Sequence, residues 1–269
     1  MPTALVTGAS SGIGEACARR LVRAGWRVLA GVRRAGEAPP STEEVLLDVT
    51  DPGQIEAAAG RVEELHGLVN NAGIAISMPL EFIPAQELRR QLEVNVVGQV
   101  AVTQAFLPQL RRARGRIVFV GSIAGRSALP FLGAYAASKH ALEAVADSLR
   151  LELGPFGIDV SIVEPGTIKT PIWTKSAAVA DGLVQDSPPA LGELYGEPMA
   201  AFRRVALERG ATGGSADDVA RAVEAALSAK RPRTRTLVGR DAKLRARFEQ
   251  LPDRIRDRLY SRVLLRKPR

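Results

Sequence analysis

The feature that most restricts how this chain can fold is an alternation, sustained over its first 170 residues, of short apolar runs with segments of helical length. The runs Thr3–Thr7, Trp26–Val32, Val45–Asp48, Leu68–Asn70, Arg116–Val120 and Asp159–Val163 read as strands. Most are nearly unbroken apolar stretches, as expected for strands covered on both faces. Between them, Gly12–Ala24, Pro52–Leu65, Ala85–Leu110 and Ala134–Leu153 have helical length, and Ser215–Lys230 follows later. Asp51 supplies a cap and Pro52 a first helical residue for the second of these. Strand–helix–strand order closes through right-handed crossovers, so the expectation is an α/β domain: a doubly wound parallel sheet of about seven strands. The interval from Arg33 to Val45 leaves room for only a very short helix, or none.

Residues 171–214 interrupt the rhythm. They combine breakers (Gly182, Pro188, Pro189, Gly192, Gly196, Pro198, Gly213, Gly214) with Trp173, Leu183, Leu191, Tyr195, Met199 and Phe202. A long, breaker-rich connection carrying large apolar residues is read as a lid. Aromatics make up only 4% of the chain, so the core must come from Ala, Val, Leu and Ile. The single cysteine, Cys17, rules out an internal disulfide and suits a reducing compartment. The first apolar run reads as a buried strand instead of a signal peptide, and no apolar stretch approaches a membrane span. A cytoplasmic location is therefore expected.

The formal net charge of +8 is unevenly placed: residues 230–269 hold 15 Lys/Arg against 4 Asp/Glu. The basic character belongs to the tail, and the rest of the chain is slightly acidic. A nucleic-acid partner for the whole protein is accordingly disfavoured. Leu244, Phe248, Leu251, Ile255, Leu259 and Val263 recur at helical intervals through Asp241–Leu265, with arginines between them. The domain is thus expected to span 1–240, with 171–214 as its lid, and 241–269 to form a basic helical extension. That extension reads first as a helix docked on the body, and second as a peripheral contact with anionic membrane.

Two local patterns carry chemistry. The first strand ends in Thr7-Gly8-Ala9-Ser10-Ser11-Gly12-Ile13-Gly14, and a helix follows at once. Glycines at 8, 12 and 14 permit a tight turn that presents backbone N–H groups and a helix N-terminus to a pyrophosphate. Farther on, Tyr135 and Lys139 lie four residues apart on one helical face. A nearby ammonium favours the phenolate, so Lys139 is expected to lower the phenol's pKa. Ser122 follows the apolar run ending at Val120, which puts it at the carboxyl edge of the sheet, where open α/β folds bind ligands. His66 and His140 stand alone, and no metal site is expected.

Together with Asn70-Asn71-Ala72-Gly73 and Asn95-Val96-Val97-Gly98, these motifs resemble the short-chain dehydrogenase/reductase family and imply its Rossmann-like fold. The resemblance implies that Tyr135 is the general acid/base and that Lys139 lowers its pKa while holding the nicotinamide ribose. It gives Ser122 the substrate oxygen, and Asn95 a water linking Lys139 to solvent. For the cofactor it implies contacts from Gly8, Ser10, Ser11, Gly12, Ile13 and Gly14, from Asp48 and Val49 at the adenine, and from Asn71, Ala72 and Gly73. Pro165, Gly166, Ile168 and Thr170 are similar to the family's nicotinamide clamp. Where family members place an acidic residue against the adenosine ribose, this chain has Val32 followed by Arg33 and Arg34. Two guanidiniums suit a 2′-phosphate, which favours NADP(H) and leaves NAD(H) as the alternative.

The stretches Phe156–Gly166 and Arg235–Lys243 look like the branch containing retinol, hydroxysteroid and 3-hydroxybutyrate dehydrogenases. With the apolar lid, they imply a hydrophobic secondary alcohol or ketone as substrate. The family also implies a homodimer or homotetramer. A non-catalytic NADP(H)-sensing regulator is the competing reading, disfavoured because a sensor has no need of the phenol.

Overall fold

The structure, a computed structural model, describes residues 1–264, with side chains to residue 262. Leu265 and the side chain of Val263 lie outside the described residues. In chain order the elements are β1 (Thr3–Thr7), α1 (Gly12–Arg23), β2 (Arg27–Val32), β3 (Glu43–Leu46), α2 (Pro52–Ala59) and β4 (Gly67–Asn70). There follow α3 (Ala85–Leu92), α4 (Gly98–Ala113), β5 (Arg116–Val120), α5 (Gly133–Leu153) and β6 (Asp159–Pro165). The chain continues with α6 (Ile172–Gln185), α7 (Pro189–Thr212), α8 (Ala216–Ser228), β7 (Arg235–Val238), α9 (Arg240–Phe248) and α10 (Asp253–Leu264).

The seven strands form one parallel sheet in the order β3-β2-β1-β4-β5-β6-β7. Strand order reverses direction between β1 and β4, which opens a crevice beyond their carboxyl ends. The two-residue period of each strand divides the core into two layers. Leu5 points to the side where Ile55 of α2, Phe106 and Leu110 of α4, and Leu142 of α5 are buried. Ala4 and Val6 point to the other, against Cys17 and Leu21 of α1 and Val219 and Val223 of α8. Burial holds Cys17 in the thiol form, its pKa pushed up to about 12. Asp51 caps α2 as expected, accepting from the amides of Gly53 (2.9 Å) and Gln54 (3.1 Å). No helix separates β2 from β3.

The boundaries depart from expectation in four places. The helix beginning at Pro52 stops at Ala59, where Gly60 takes the cap, instead of continuing to Leu65. Ala85–Leu110 is not one uniform helix: Glu93–Val97 forms a π-helical turn between α3 and α4. Residues 171–214 are mostly helical despite their breakers. Pro189 is tolerated in the first turn of α7, and Leu191, Tyr195 and Met199 form one stripe that packs on Ile76 and Met78. Tertiary burial there outweighs the local cost of Gly192, Gly196 and Pro198. Finally, the tail is two helices and not one. Pro252 lacks the amide that would extend α9, and α10 begins after it.

The extension docks on the body. Ala242 is fully buried, Arg245 Nη2 donates to the Ser127 carbonyl at 3.1 Å, and the Tyr260 and Ser127 hydroxyls lie 3.1 Å apart. Within the extension Phe248 meets Tyr260 edge-on at 5.4 Å. Leu244, Leu251, Ile255 and Leu259 remain exposed. Among the described residues no helix is long and apolar enough to cross a membrane.

Candidate active site

A crevice of about 750 Å³ lies beyond the carboxyl ends of β1, β4, β5 and β6. Its floor at one end is the glycine turn, Gly8 and residues 10–13, with Asp48-Val49 and residues 71–73 alongside. Ser122, Tyr135 and Lys139 form the middle, and Pro165, Gly166, Ile168 and Thr170 a further wall, with Thr170 against Gly12. Arg33 reaches the crevice. Arg34 does not: its side chain is exposed and pairs with Glu37 at 2.5 Å. Gly14 and Asn95 also stand outside the lining, each for a structural reason.

The turn is fitted for a dinucleotide. Gly8 and Gly12 have φ of +64° and +61°, which side-chain-bearing residues rarely adopt. A Cβ on Gly14 would sit 2.2 Å from the Gly8 carbonyl oxygen, so glycine there sets how closely α1 approaches the turn. Ser11, the N-cap of α1, makes no side-chain cap bond, so the helix's first amides keep their capacity for an anion. Asn71 fixes the far rim: its Nδ2 donates to the carbonyls of Thr7 (2.9 Å) and Gly8 (3.2 Å). These groups match a pyrophosphate-bearing cofactor.

Tyr135 and Lys139 share one face of α5, as their spacing requires. Lys139 is only 4% exposed, and its Nζ donates to the Val120 carbonyl at 2.8 Å. Burial pushes its pKa down to about 8, with Glu143 opposing the fall. The phenol corrects the expectation drawn from its neighbour. Burial raises Tyr135 above its ordinary value, while the adjoining Ser122 hydroxyl and the charge of Arg245 pull it back. The lysine is poorly placed to do more, because its Nζ is held by Val120 and stands 5.8 Å from the centroid of the phenol ring.

The Lys139 value makes a prediction about stability. Depression from 10.5 to about 8 corresponds to roughly 3 kcal/mol against the charged form. An unfolded lysine keeps its proton up to pH 10.5, whereas the folded one loses it above about 8. The cost is therefore felt in full below pH 8 and fades as pH rises to 10.5. Lys139→Met, which forgoes a hydrogen bond worth about 1 kcal/mol, is expected to be more stable than the parent at pH 7 by on the order of 2 kcal/mol. Denaturant unfolding at pH 7 and pH 10 should show that advantage shrinking; an advantage that grows with pH contradicts it.

Asn95 sits in the π turn, fully buried. Its Oδ1 accepts from the Ile74 amide (2.8 Å) and its Nδ2 donates to the Ile74 carbonyl (3.0 Å) and the Ser138 hydroxyl (3.0 Å). It ties the segment after β4 to α5 between Tyr135 and Lys139. Gln91 does the same for Ile74 and Ile76, and Gln99 donates to the Ala72 carbonyl.

Sequence reasoning missed the part the extension plays. Asp241 accepts from the Thr167 amide at 2.7 Å, and a Cβ on Gly166 would collide with its carboxylate. Arg235 bonds Glu143 (3.0 Å) and Asp147 (2.6 Å), the two turns of α5 after Lys139. Arg245 enters the crevice itself. Arg235 of β7 and Asp241 and Arg245 of α9 thus face inward, which the charge pattern alone does not reveal. Glu164 was another available signal: a fully buried carboxylate in an apolar strand, paired with Arg126.

Comparison with known proteins agrees with this geometry. Residues 2–180 match the family described as short chain dehydrogenase. The chain is similar to human retinol dehydrogenase 16, with 40% identity over 89% of this chain and 81% of that one. It is also similar to the NADPH-dependent 3-dehydrocapnine reductase of Ornithobacterium rhinotracheale, with 34% identity over 98% of both. A short chain dehydrogenase from Burkholderia cenocepacia, solved in complex with NADP, superposes with a TM-score of 0.76 at 29% identity, covering 99% of this chain and 98% of that one. The chain belongs to the short-chain dehydrogenase/reductase family, in its retinol and hydroxysteroid dehydrogenase branch, and is an NAD(P)-dependent oxidoreductase acting on CH–OH groups.

Proposed function

We propose that the protein moves a hydride between NADP(H) and a hydrophobic secondary alcohol or ketone, with Tyr135 as general acid/base. The observation that carries this reading is the convergence of Ser122, Tyr135 and Lys139 with the glycine turn on one crevice. When bound, the nicotinamide supplies or accepts the hydride. The protein's own work is to place the substrate oxygen between the Ser122 and Tyr135 hydroxyls and to move the proton. In reduction Tyr135 gives its proton to the oxygen and Lys139 compensates the resulting negative charge; oxidation runs the same transfers backwards. The residues at the turn, at 71–73 and at 165–170 hold the cofactor, and Asn95 acts as a positioning residue through Ile74 and Ser138.

NADP(H) is favoured over NAD(H) because β2 ends in buried Val32 without a carboxylate, and Arg33 faces the crevice. One relative named as NADPH-dependent and one solved relative holding NADP support the same choice. Arg34, paired with Glu37, is left out of this role. Arg33→Ala is expected to weaken NADPH binding about 10- to 100-fold while NADH binding changes less than about two-fold. Fluorescence titration of both coenzymes checks it; equal losses for both, or none, would reject the phosphate assignment.

The hydrophobic preference is supported by a second cavity of about 280 Å³ between α6 and α7, lined by Phe131, Leu191, Met199 and Phe202. Leu132 and Trp173 border both it and the main crevice, so the two cavities adjoin and an apolar chain on the substrate would have an apolar neighbour there. The pair α6 and α7 acts as the substrate lid.

A further inference from the structure

Arg245 has no role in the chemistry above, yet it lines the crevice and its charge is felt at Tyr135. Its Nη2 donates to the backbone carbonyl (3.1 Å) and hydroxyl (2.9 Å) of Ser127. Its Nε is enclosed and bonds nothing among the described residues. Arg245 takes part in none of the ion pairs among those residues, unlike Arg150 of α5, Arg221 of α8 and Arg256 of α10. Nη1, by contrast, is not enclosed and makes no hydrogen bond among the described residues, so the charge of Arg245 is open to an anion in the crevice.

The surroundings indicate what the ligand is. Ser127 follows the Ser122 loop, so Arg245 stands on the substrate side of the crevice, away from the glycine turn and Arg33. The crevice's two carboxylates, Asp48 and Glu93, come from the end of β3 and from the π turn after α3. Lys175 of α6 adds a second cation at the rim, exposed and unpaired among the described residues. The cavity between α6 and α7 opens on the same side. Resting on the hydride-transfer reading, we infer that Arg245 recognises an anionic head group, so that the substrate is an amphiphile: a carbonyl or alcohol flanked by an acidic group on one side and an apolar chain on the other. With Nη2 held by Ser127 and Nε enclosed, Nη1 is the nitrogen left to meet an anionic oxygen of a carboxylate, sulfonate or phosphate. The apolar chain occupies the cavity under α6 and α7.

The test pairs a binding measurement with turnover. Calorimetric titration in saturating NADP compares laurate with dodecan-1-ol, on the parent and on Arg245→Gln and Arg245→Lys. The parent is expected to bind laurate about 10- to 100-fold more tightly than the alcohol. Arg245→Gln should bring laurate to the level of the alcohol while changing the alcohol by less than about two-fold, and Arg245→Lys should keep part of the preference. Reduction of 5-oxododecanoate and of its methyl ester, followed through NADPH consumption, should show the same preference in kcat/KM, lost in Arg245→Gln through KM. The inference is overturned if the parent does not prefer laurate, or if Arg245→Gln weakens acid and neutral ligand alike. It is also overturned if that variant only shifts the pH profile of both oxo compounds, which assigns Arg245 to Tyr135 instead. Turnover of the ester without any preference for laurate removes the anion site and leaves the hydride-transfer reading standing. A preference for laurate with neither oxo compound reduced does the opposite.

Discussion

Tyr135→Phe is expected to lower kcat about a thousand-fold while leaving the dissociation constant for NADPH within about two-fold of the parent's. The substitution removes one oxygen and keeps the ring on its face of α5, so the core around it is undisturbed. The lost atom is the phenolic proton donor beside Ser122 in the crevice. A serine hydroxyl held to the Ala124 amide at 3.1 Å orients and does not release a proton readily. Lys139 cannot stand in, since its ammonium is held by the Val120 carbonyl at 2.8 Å and lies 5.8 Å from the centroid of the phenol ring. Steady-state rates with any ketone accepted by the parent, together with coenzyme titration, give the result. A variant that keeps more than about a tenth of the parental kcat would require another acid.

Gly14→Ala tests the cofactor turn with comparable severity. On helix propensity alone, alanine in the first turn of α1 should add stability, by up to about 1 kcal/mol. The packing says the reverse. The new methyl would lie 2.2 Å from the Gly8 oxygen and 2.5 Å from Asn71 Nδ2, and one of those is backbone that cannot step aside. Relief requires α1 to withdraw and Asn71 to release the Thr7 and Gly8 carbonyls. The expected cost is about 3 kcal/mol of stability, with more than ten-fold weaker coenzyme binding. Gly182→Ala is the matched control: it is also helical, has open space where the methyl would go, and should be neutral or slightly stabilising. Denaturant midpoints of the two variants separate the effects; equal behaviour would mean that the close approach of α1 is unimportant.

Much of this architecture is legible in the sequence because it rests on patterns with short-range causes. Apolar runs such as Ala4-Leu5-Val6 must be covered on both faces, and their spacing leaves room only for crossover helices. Glycines 8, 12 and 14 announce a turn, and Tyr135 and Lys139 meet because a helix brings residues four apart together. The parts that were not legible depend on contacts between distant segments. The strand Arg235–Val238 is short and half polar, and becomes a strand only by pairing with β6. The helices of 171–214 form against Ile76 and Met78, more than a hundred residues away in the chain, whatever their prolines prefer. The direction of the Tyr135 shift was misread for the same reason. Spacing brings a cation near the phenol, but it does not reveal that desolvation outweighs that cation, or that a carbonyl at Val120 holds the ammonium. Charge counting hid Asp241 and Arg245 as well, since a tail rich in arginine looks uniformly solvated until individual side chains are traced inward.

The most direct test of the central claim is a crystal structure of the protein with NADP bound. The account places the pyrophosphate against residues 10–13 and the nicotinamide between the Tyr135 hydroxyl and the wall formed by Pro165–Thr170, with the Lys139 ammonium turned to the adjacent ribose. A complex in which the nicotinamide lies outside hydride-transfer reach of a substrate carbon held at Ser122 and Tyr135 would contradict it.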